Sequence, residues 1–200
     1  LIATRSPLIV DMVFQANLIE FIQTDSVLEA LILESNLIKK YQPKYNTKEK
    51  SDKSFNYIVI TKEKLPREVI ARGKNLKEEE KVFGPYPNGS QLTEALKIIR
   101  RIFPFLDEKF KTNYNFYKQV ELVPDISNEE NISIYLKDIK NIKLLLKGKK
   151  KDVIRNIKKD MINNAKEKKF ERAGELKRQL FALKHINDIA LIKKSSTSFN

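Results

Sequence analysis

The chain has 200 residues, 41% of them hydrophobic, and carries 39 Lys and Arg against 26 Asp and Glu, a formal charge of +13. That apolar content excludes wholesale disorder, and the length allows one medium domain or two small ones. There is no cysteine, so disulfides and thiolate metal sites are excluded, and carboxylates with water remain as ligands for hard cations such as Mg²⁺ or Mn²⁺.

Residues 18–24 are apolar and β-branched and read as a strand. Asp25 and Ser26 break it, and Ser26 with Glu29 three positions on forms a capping box. Leu28, Leu31, Ile32, Ser35 and Ile38 follow at helical spacing, and Pro43 ends that helix. Residues 39–53 are a basic, polar connection. Phe55 to Thr61 and Glu68 to Arg72 read as two more strands, joined across Pro66. Residues 73–81 are charged loop, Phe83 to Pro87 rigid extended chain, and Asn88-Gly89 a turn. Ser90 is the expected cap of a helix with the stripe Leu92, Ala95, Leu96, Ile99 and Phe103, stopped by Pro104. Lys97, Arg100 and Arg101 fall away from that stripe.

Residues 104–131 show no period. From about 132 the chain is Lys-rich and helical. Ile154, Ile157, Met161 and Ala165 form one amphipathic stripe, and Ala173, Leu176, Leu180, Leu183 and Ala190 another, with Lys166 to Lys169 as the turn between them. Such spacing suits an antiparallel helical pair that buries one seam. The single histidine, His185, reads as a surface residue, and residues 194–200 as a linker. No apolar run reaches the length of a membrane span, and no signal peptide opens the chain.

Glu34 is the first candidate for chemistry. It lies along an apolar stripe, with Ala30, Leu31, Leu37 and Ile38 as helical neighbours and no cation partner on its own helix. A carboxylate on a mostly buried face needs a partner, often a metal or a distant base. Periodicity leaves open the alternative of an edge-of-core glutamate that reaches solvent or a distant lysine.

The run Glu34, Leu37, Ile38, Pro43 and Asn46 resembles the C-terminal motif of GIY-YIG nucleases. With Leu28-Glu29-Ala30 before it and Asp52-Lys53-Ser54 after it, the stretch is similar to the UvrC family. The opening Thr4 to Pro7 and Asp11 to Val13, the run Phe83 to Pro87, and Leu96 to Pro104 extend the likeness, and Phe170 to Gln179 looks like a UVR motif. Four motifs in family order cover nearly the whole chain.

The resemblance implies an α+β fold: the C-terminal part of a GIY-YIG nuclease domain over 1–50, a small mixed α/β region over 51–131, and a Lys-rich helical region over 132–193. The last holds an antiparallel UVR hairpin over about 151–192. It also implies a cytoplasmic subunit of bacterial nucleotide excision repair that incises damaged double-stranded DNA and binds UvrB through the hairpin. Glu34 corresponds to the family's ligand for Mg²⁺ or Mn²⁺. Asn46 corresponds to the polar residue that supports the site, beside its alternative as a turn residue after Pro43.

Phe170, Ala173, Gly174, Leu176 and Leu180 are the expected contacts with UvrB. Phe170 would be the anchor, and Gly174 the mark of a close helix–helix approach. The alternative is that Phe170 and Gly174 only close the hairpin on itself. Lys39, Lys40, Lys44, Arg100 and Arg101 are candidates to hold the DNA backbone, against the alternative of ordinary solvated surface. The family's motif tyrosines and catalytic arginine are expected before Leu1, and its RNase-H-like module beyond Asn200, so these residues alone are not expected to incise DNA.

One departure stands out. UvrC proteins commonly carry a cysteine cluster after the helix that here ends at Phe103. This chain has none, so a thiolate-held iron–sulfur cluster is excluded and the region is expected to hold itself by packing, with Phe116 and Tyr117 as candidates. A rival reading is a non-catalytic adaptor that binds UvrB and DNA with a degenerate nuclease fold. A third, a basic RNA- or ribosome-associated protein, has no specific motif behind it.

Overall fold

The computed structural model describes residues 7–45, 55–73, 81–108 and 112–186. In chain order these form helices α1 (Pro7–Gln15) and α2 (Val27–Tyr41), strands β1 (Asn56–Ile60), β2 (Glu68–Arg72) and β3 (Lys81–Tyr86), and helices α3 (Gly89–Ile102), α4 (Tyr114–Gln119), α5 (Glu129–Leu146), α6 (Lys150–Lys166) and α7 (Phe170–Lys184). The fold is α+β, as expected. Asn46, residues 74–80, Ala190 and the expected linker at 194–200 lie outside the described residues.

The β-branched run Ile58-Val59-Ile60 is buried on both faces, so it takes the central place in an antiparallel sheet of order β2-β1-β3. Ile58 stands opposite Ile70 on one side and Phe83 on the other. The extended chain expected at Phe83 to Pro87 is an edge strand as far as Tyr86, where Pro85 costs no ladder bond in the sheet interior.

α2 starts with the Ser26 half of the capping box, Ser26 Oγ accepting from the Glu29 amide at 3.1 Å, while the Glu29 carboxylate pairs with Lys150. It ends at Gln42, left-handed at φ 42°, whose amide donates to the Ile38 carbonyl. Leu28, Leu31, Ile32, Ser35 and Ile38 are its buried face, packed on β3 and α3. α3 buries Leu92, Ala95, Leu96, Ile99 and Ile102, and Phe103 at its end is buried with them. Its cap is Asn88 and not Ser90. Asn88 Oδ1 accepts from the Ser90 and Gln91 amides at 3.0 and 3.2 Å, and the Ser90 hydroxyl, already inside the first turn, donates to the same oxygen.

The strand expected at 18–24 is not formed. A strand exists only within a ladder, and no described segment pairs with this one; Leu18, Ile19, Phe21 and Ile22 stand exposed.

The period-free stretch from 104 is pinned by polar contacts. Arg100 is buried, its Nη1 donating to the carbonyls of Phe105 at 2.6 Å and Leu122 at 3.0 Å, and its Nη2 paired with Asp107. Leu106 bridges to Arg67 and accepts from the Glu68 amide at 2.9 Å. The Tyr135 hydroxyl donates to the Pro66 carbonyl and accepts from the Leu106 amide. The Tyr114 hydroxyl donates to the Pro124 carbonyl at 2.8 Å and accepts from the Ile126 amide at 3.2 Å. Phe116, expected in the packing, is 60% exposed and meets only the edge of Tyr117 among rings.

α6 and α7 form the expected antiparallel hairpin around Glu167 to Lys169, with Lys168 left-handed at φ 61°. Val153, Ile157, Leu176 and Leu183 are buried in its seam. The hairpin does not stand alone, because α5 packs along α6 and α7 reaches α3. Asp138 of α5, buried, accepts a bond from Gln179 of α7 and faces Arg172 of the same helix, and burial pushes its carboxyl up to about 7. One hydrophobic core runs from Leu28 through the sheet and α3 to Ile186.

Glu68 is the sheet's anomaly. It is 2% exposed and neither carboxyl oxygen has a hydrogen-bond partner. Burial pushes it up to about 8, against the opposing pull of the Arg100 guanidinium, so it is protonated at neutral pH. The folded chain therefore binds a proton that the unfolded chain has released, and stability falls as pH rises from about 4.5 to about 8. Glu68→Gln should flatten this slope. Followed by thermal unfolding, its stability relative to wild type should improve by on the order of 3 kcal/mol between about pH 5 and about pH 8. A difference constant across that range would show that Glu68 is not buried as a neutral acid.

Candidate functional site

α2 is held in one rotation by a buried hydrogen bond. Ser35, 3% exposed, meets the hydroxyl of Tyr86 at the end of β3, itself 1% exposed. One residue back, and so about 100° round the helix, Glu34 points to solvent. Of the two readings left open for Glu34, the glutamate that reaches solvent is the one found: the core stripe passes through Leu31, Ser35 and Ile38, and the polar group needing a buried partner is Ser35. Glu34 has no ion-pair partner among the described residues. No group of three or more His, Cys, Asp or Glu able to hold a metal ion occurs among them either. What Glu34 offers is one hard carboxylate on a rigid helix, open to water. That donor set suits a strongly hydrated cation such as Mg²⁺, which keeps several of its waters.

The end of the helix is basic. Lys39 and Lys40 are exposed, and Lys40 Nζ lies over the Tyr41 ring at 4.7 Å. Lys44 lies over the Tyr45 ring at 5.0 Å and 4.0 Å from Asp11 of α1. The Tyr45 hydroxyl donates to Asp11 Oδ2 at 2.6 Å, and this bond foremost lowers the Asp11 carboxyl and raises the Tyr45 phenol. That contact ties α1 to the end of α2, next to Asn46 in sequence.

Of the two arginines placed on a DNA-facing surface, only Arg101 is exposed. Arg100 is corrected to a structural role, its guanidinium used on Phe105, Leu122 and Asp107. Helical spacing alone did not expose this, because Arg100 lies at the edge of the α3 stripe and the irregular chain after Pro104 folds back over it.

On the hairpin, Phe170 is 69% exposed at the start of α7, and Ala173 and Leu180 are half-buried. Leu176, expected at the partner surface, is 4% exposed and belongs to the core. Gly174 is not a point of close approach within this chain, since a methyl group there would meet nothing within 4 Å. Ile162 on α6 and Phe181 on α7 are exposed apolar residues that the seam pattern passed over, because they stand on its outer side.

Residues 2–47 match the model for the UvrC-like GIY-YIG domain, so the helix that carries Glu34 lies in a segment of that class. The chain is 39% identical over 180 residues to UvrABC system protein C of Clostridium kluyveri, covering 84% of this chain and 28% of the relative. It is 38% identical over 185 residues to UvrABC system protein C of Carboxydothermus hydrogenoformans, covering 88% and 30%. With the protein of the same name in Alkaliphilus metalliredigens, identity is 36% over 195 residues, covering 91% and 31%. The chain belongs to the UvrC family. It spans less than a third of the length of the curated relatives it matches. No solved structure matches it. No helix among the described residues is long and apolar enough to cross a membrane.

The two neighbouring arginines separate in a stability measurement. Arg100→Ala leaves Asp107 without its partner and two carbonyls without a donor, and should cost about 3 kcal/mol in chemical denaturation. Arg101→Ala should stay within about 0.5 kcal/mol of wild type. Equal effects would return Arg100 to the surface.

Proposed function

We propose that the chain is part of the excision-repair endonuclease that hydrolyses a DNA phosphodiester beside a lesion, with Glu34 as its metal-holding carboxylate. The observation that carries the proposal is Glu34 itself. It is an exposed carboxylate on a helix fixed in rotation by Ser35 and Tyr86, inside the segment that matches the UvrC-like GIY-YIG domain. A divalent cation held there would stabilise charge that builds on the phosphate and leaving oxygen. Glu34 fixes its position from a rigid element, as precise catalytic geometry requires. Asn46 supports the site from beyond Pro43. Lys39, Lys40 and Lys44 hold the DNA backbone without reading sequence. By role, residues 1–50 serve the nuclease domain, 51–131 connect, and 132–193 carry the docking hairpin.

The hairpin α6–α7 is proposed as the UVR motif that binds UvrB. Phe170 supports this reading through its exposure at the head of α7, and Gly174 through the open space above it, which leaves room for a partner helix. Large exposed aromatics commonly anchor such interfaces.

In a full-length UvrC that carries this segment, Glu34→Ala should abolish incision near a lesion with little loss of DNA binding. Incision at the wild-type rate would remove Glu34 from the metal-holding role. In the same protein, Phe170→Ala should weaken UvrB binding by more than about tenfold while helical circular dichroism is kept. Unchanged affinity would return Phe170 to a surface residue.

A further inference from the structure

α5 turns its buried stripe, including Tyr135, Ile139, Ile142 and Leu146, to the core. Lys140, Lys143 and Lys147 follow one another at i, i+3 and i+7 away from that stripe, so they form one ridge about 10 Å long. Lys81, at the start of β3, stands close enough to bear electrostatically on Lys143. At the end of the ridge the chain turns at Gly148, where a methyl group would lie 3.6 Å from Asn36 Nδ2 and 3.9 Å from Ile32 Cγ2 of α2. Lys39 and Lys40 are the next turn of α2 beyond Asn36. The ridge therefore ends beside the middle of the helix that carries Glu34.

Lys143 is the informative member. Arg67, Arg100, Lys118, Lys150 and Arg172 are likewise less than fully exposed, and each is paired with a carboxylate. Lys143 is half-buried with no carboxylate partner among the described residues, and Lys81, Lys140 and Lys147 have none either. Burial first, and then Lys81, Lys147 and Lys140, lower its ammonium pKa. The C-terminal end of α5 favours a cation in its last turn, which accounts for Lys143 but not for Lys140 or Lys81 around it. Like charges gathered without a counter-charge among the described residues suit a polyanionic partner.

We propose that Lys140, Lys143 and Lys147, with Lys81 beside them, form a track for the phosphate backbone of duplex DNA that ends beside α2. The choice of duplex DNA rests on the nuclease reading above; the anion site itself rests on the lysines. Point charges in a row hold a backbone without reading bases. The ridge carries no aromatic ring on which the bases of a single strand could stack.

The test uses the whole chain and a short, undamaged, mixed-sequence DNA duplex, without metal, titrated at several salt concentrations. Lys140→Gln/Lys143→Gln/Lys147→Gln should reduce the slope of log K against log salt by about 2 to 3 and weaken low-salt binding at least about tenfold. Lys140→Gln/Lys147→Gln, which touches only exposed positions, should lose about 2 of that slope and guards against a folding defect at Lys143. Lys158→Gln/Lys159→Gln/Lys166→Gln on α6 removes the same charge elsewhere and should have much the smaller effect. Equal losses in the ridge and α6 variants, no loss in either, or equally tight binding of a single strand would overturn the track. Because no incision is measured, the outcome is independent of Glu34: binding can map to the ridge even if Glu34→Ala leaves incision intact.

Discussion

The guanidinium of Arg100 sits where the last turn of α3, the segment 105–107 and the carbonyl of Leu122 converge. It lies over the Phe105 ring at 3.8 Å while bonding that residue's own carbonyl. A buried cation is costly unless its donors are matched, and here carbonyl oxygens and the Asp107 carboxylate match them. The contact fixes the chain after Pro104 against β2, where Leu106 bridges Arg67, and thereby sets where α5 begins. With no cysteine in the chain, this stretch is fastened by side chain to backbone hydrogen bonds.

Two further buried polar contacts extend the same logic to either side. Ser35 and Tyr86 lock α2 to the edge strand β3, and Asp138 with Gln179 locks α5 to α7. Each has an exposed neighbour: Glu34 next to Ser35, and Arg178 next to Gln179. Apolar packing supplies most of the cohesion in such a core, but it is non-directional, and the polar pairs set rotation and register.

Much of this was legible in the sequence. The N-cap at Ser26, the two strands around Pro66, the α3 stripe and the hairpin all follow from local rules, and the structure has them where those rules put them. For Glu34 periodicity leaves two readings open, because Leu31 and Ile38 flank it; the solvent-reaching one holds, since the stripe passes through Ser35. Arg100 was misplaced because its partners lie in a segment with no period to read. The strand at 18–24 is not formed although its composition meets β-propensity, because no described segment pairs with it. α1 was missed because none of its residues is buried, so no stripe marks it. The lysine ridge was hidden in a Lys-rich helical stretch, where only burial and pairing distinguish one lysine from the next.

The core that joins Leu28 of α2 to Leu183 of α7 is a single cluster. The helix bearing Glu34 and the hairpin are then parts of one cooperative unit, drawing on one free energy of folding. A ligand that binds only the folded hairpin deepens that shared well by RT ln(1 + [L]/Kd), and α2 inherits the same protection without being touched. Thermodynamic linkage makes the relation reciprocal: whatever holds α2 in its fold also holds the surface offered at the far end.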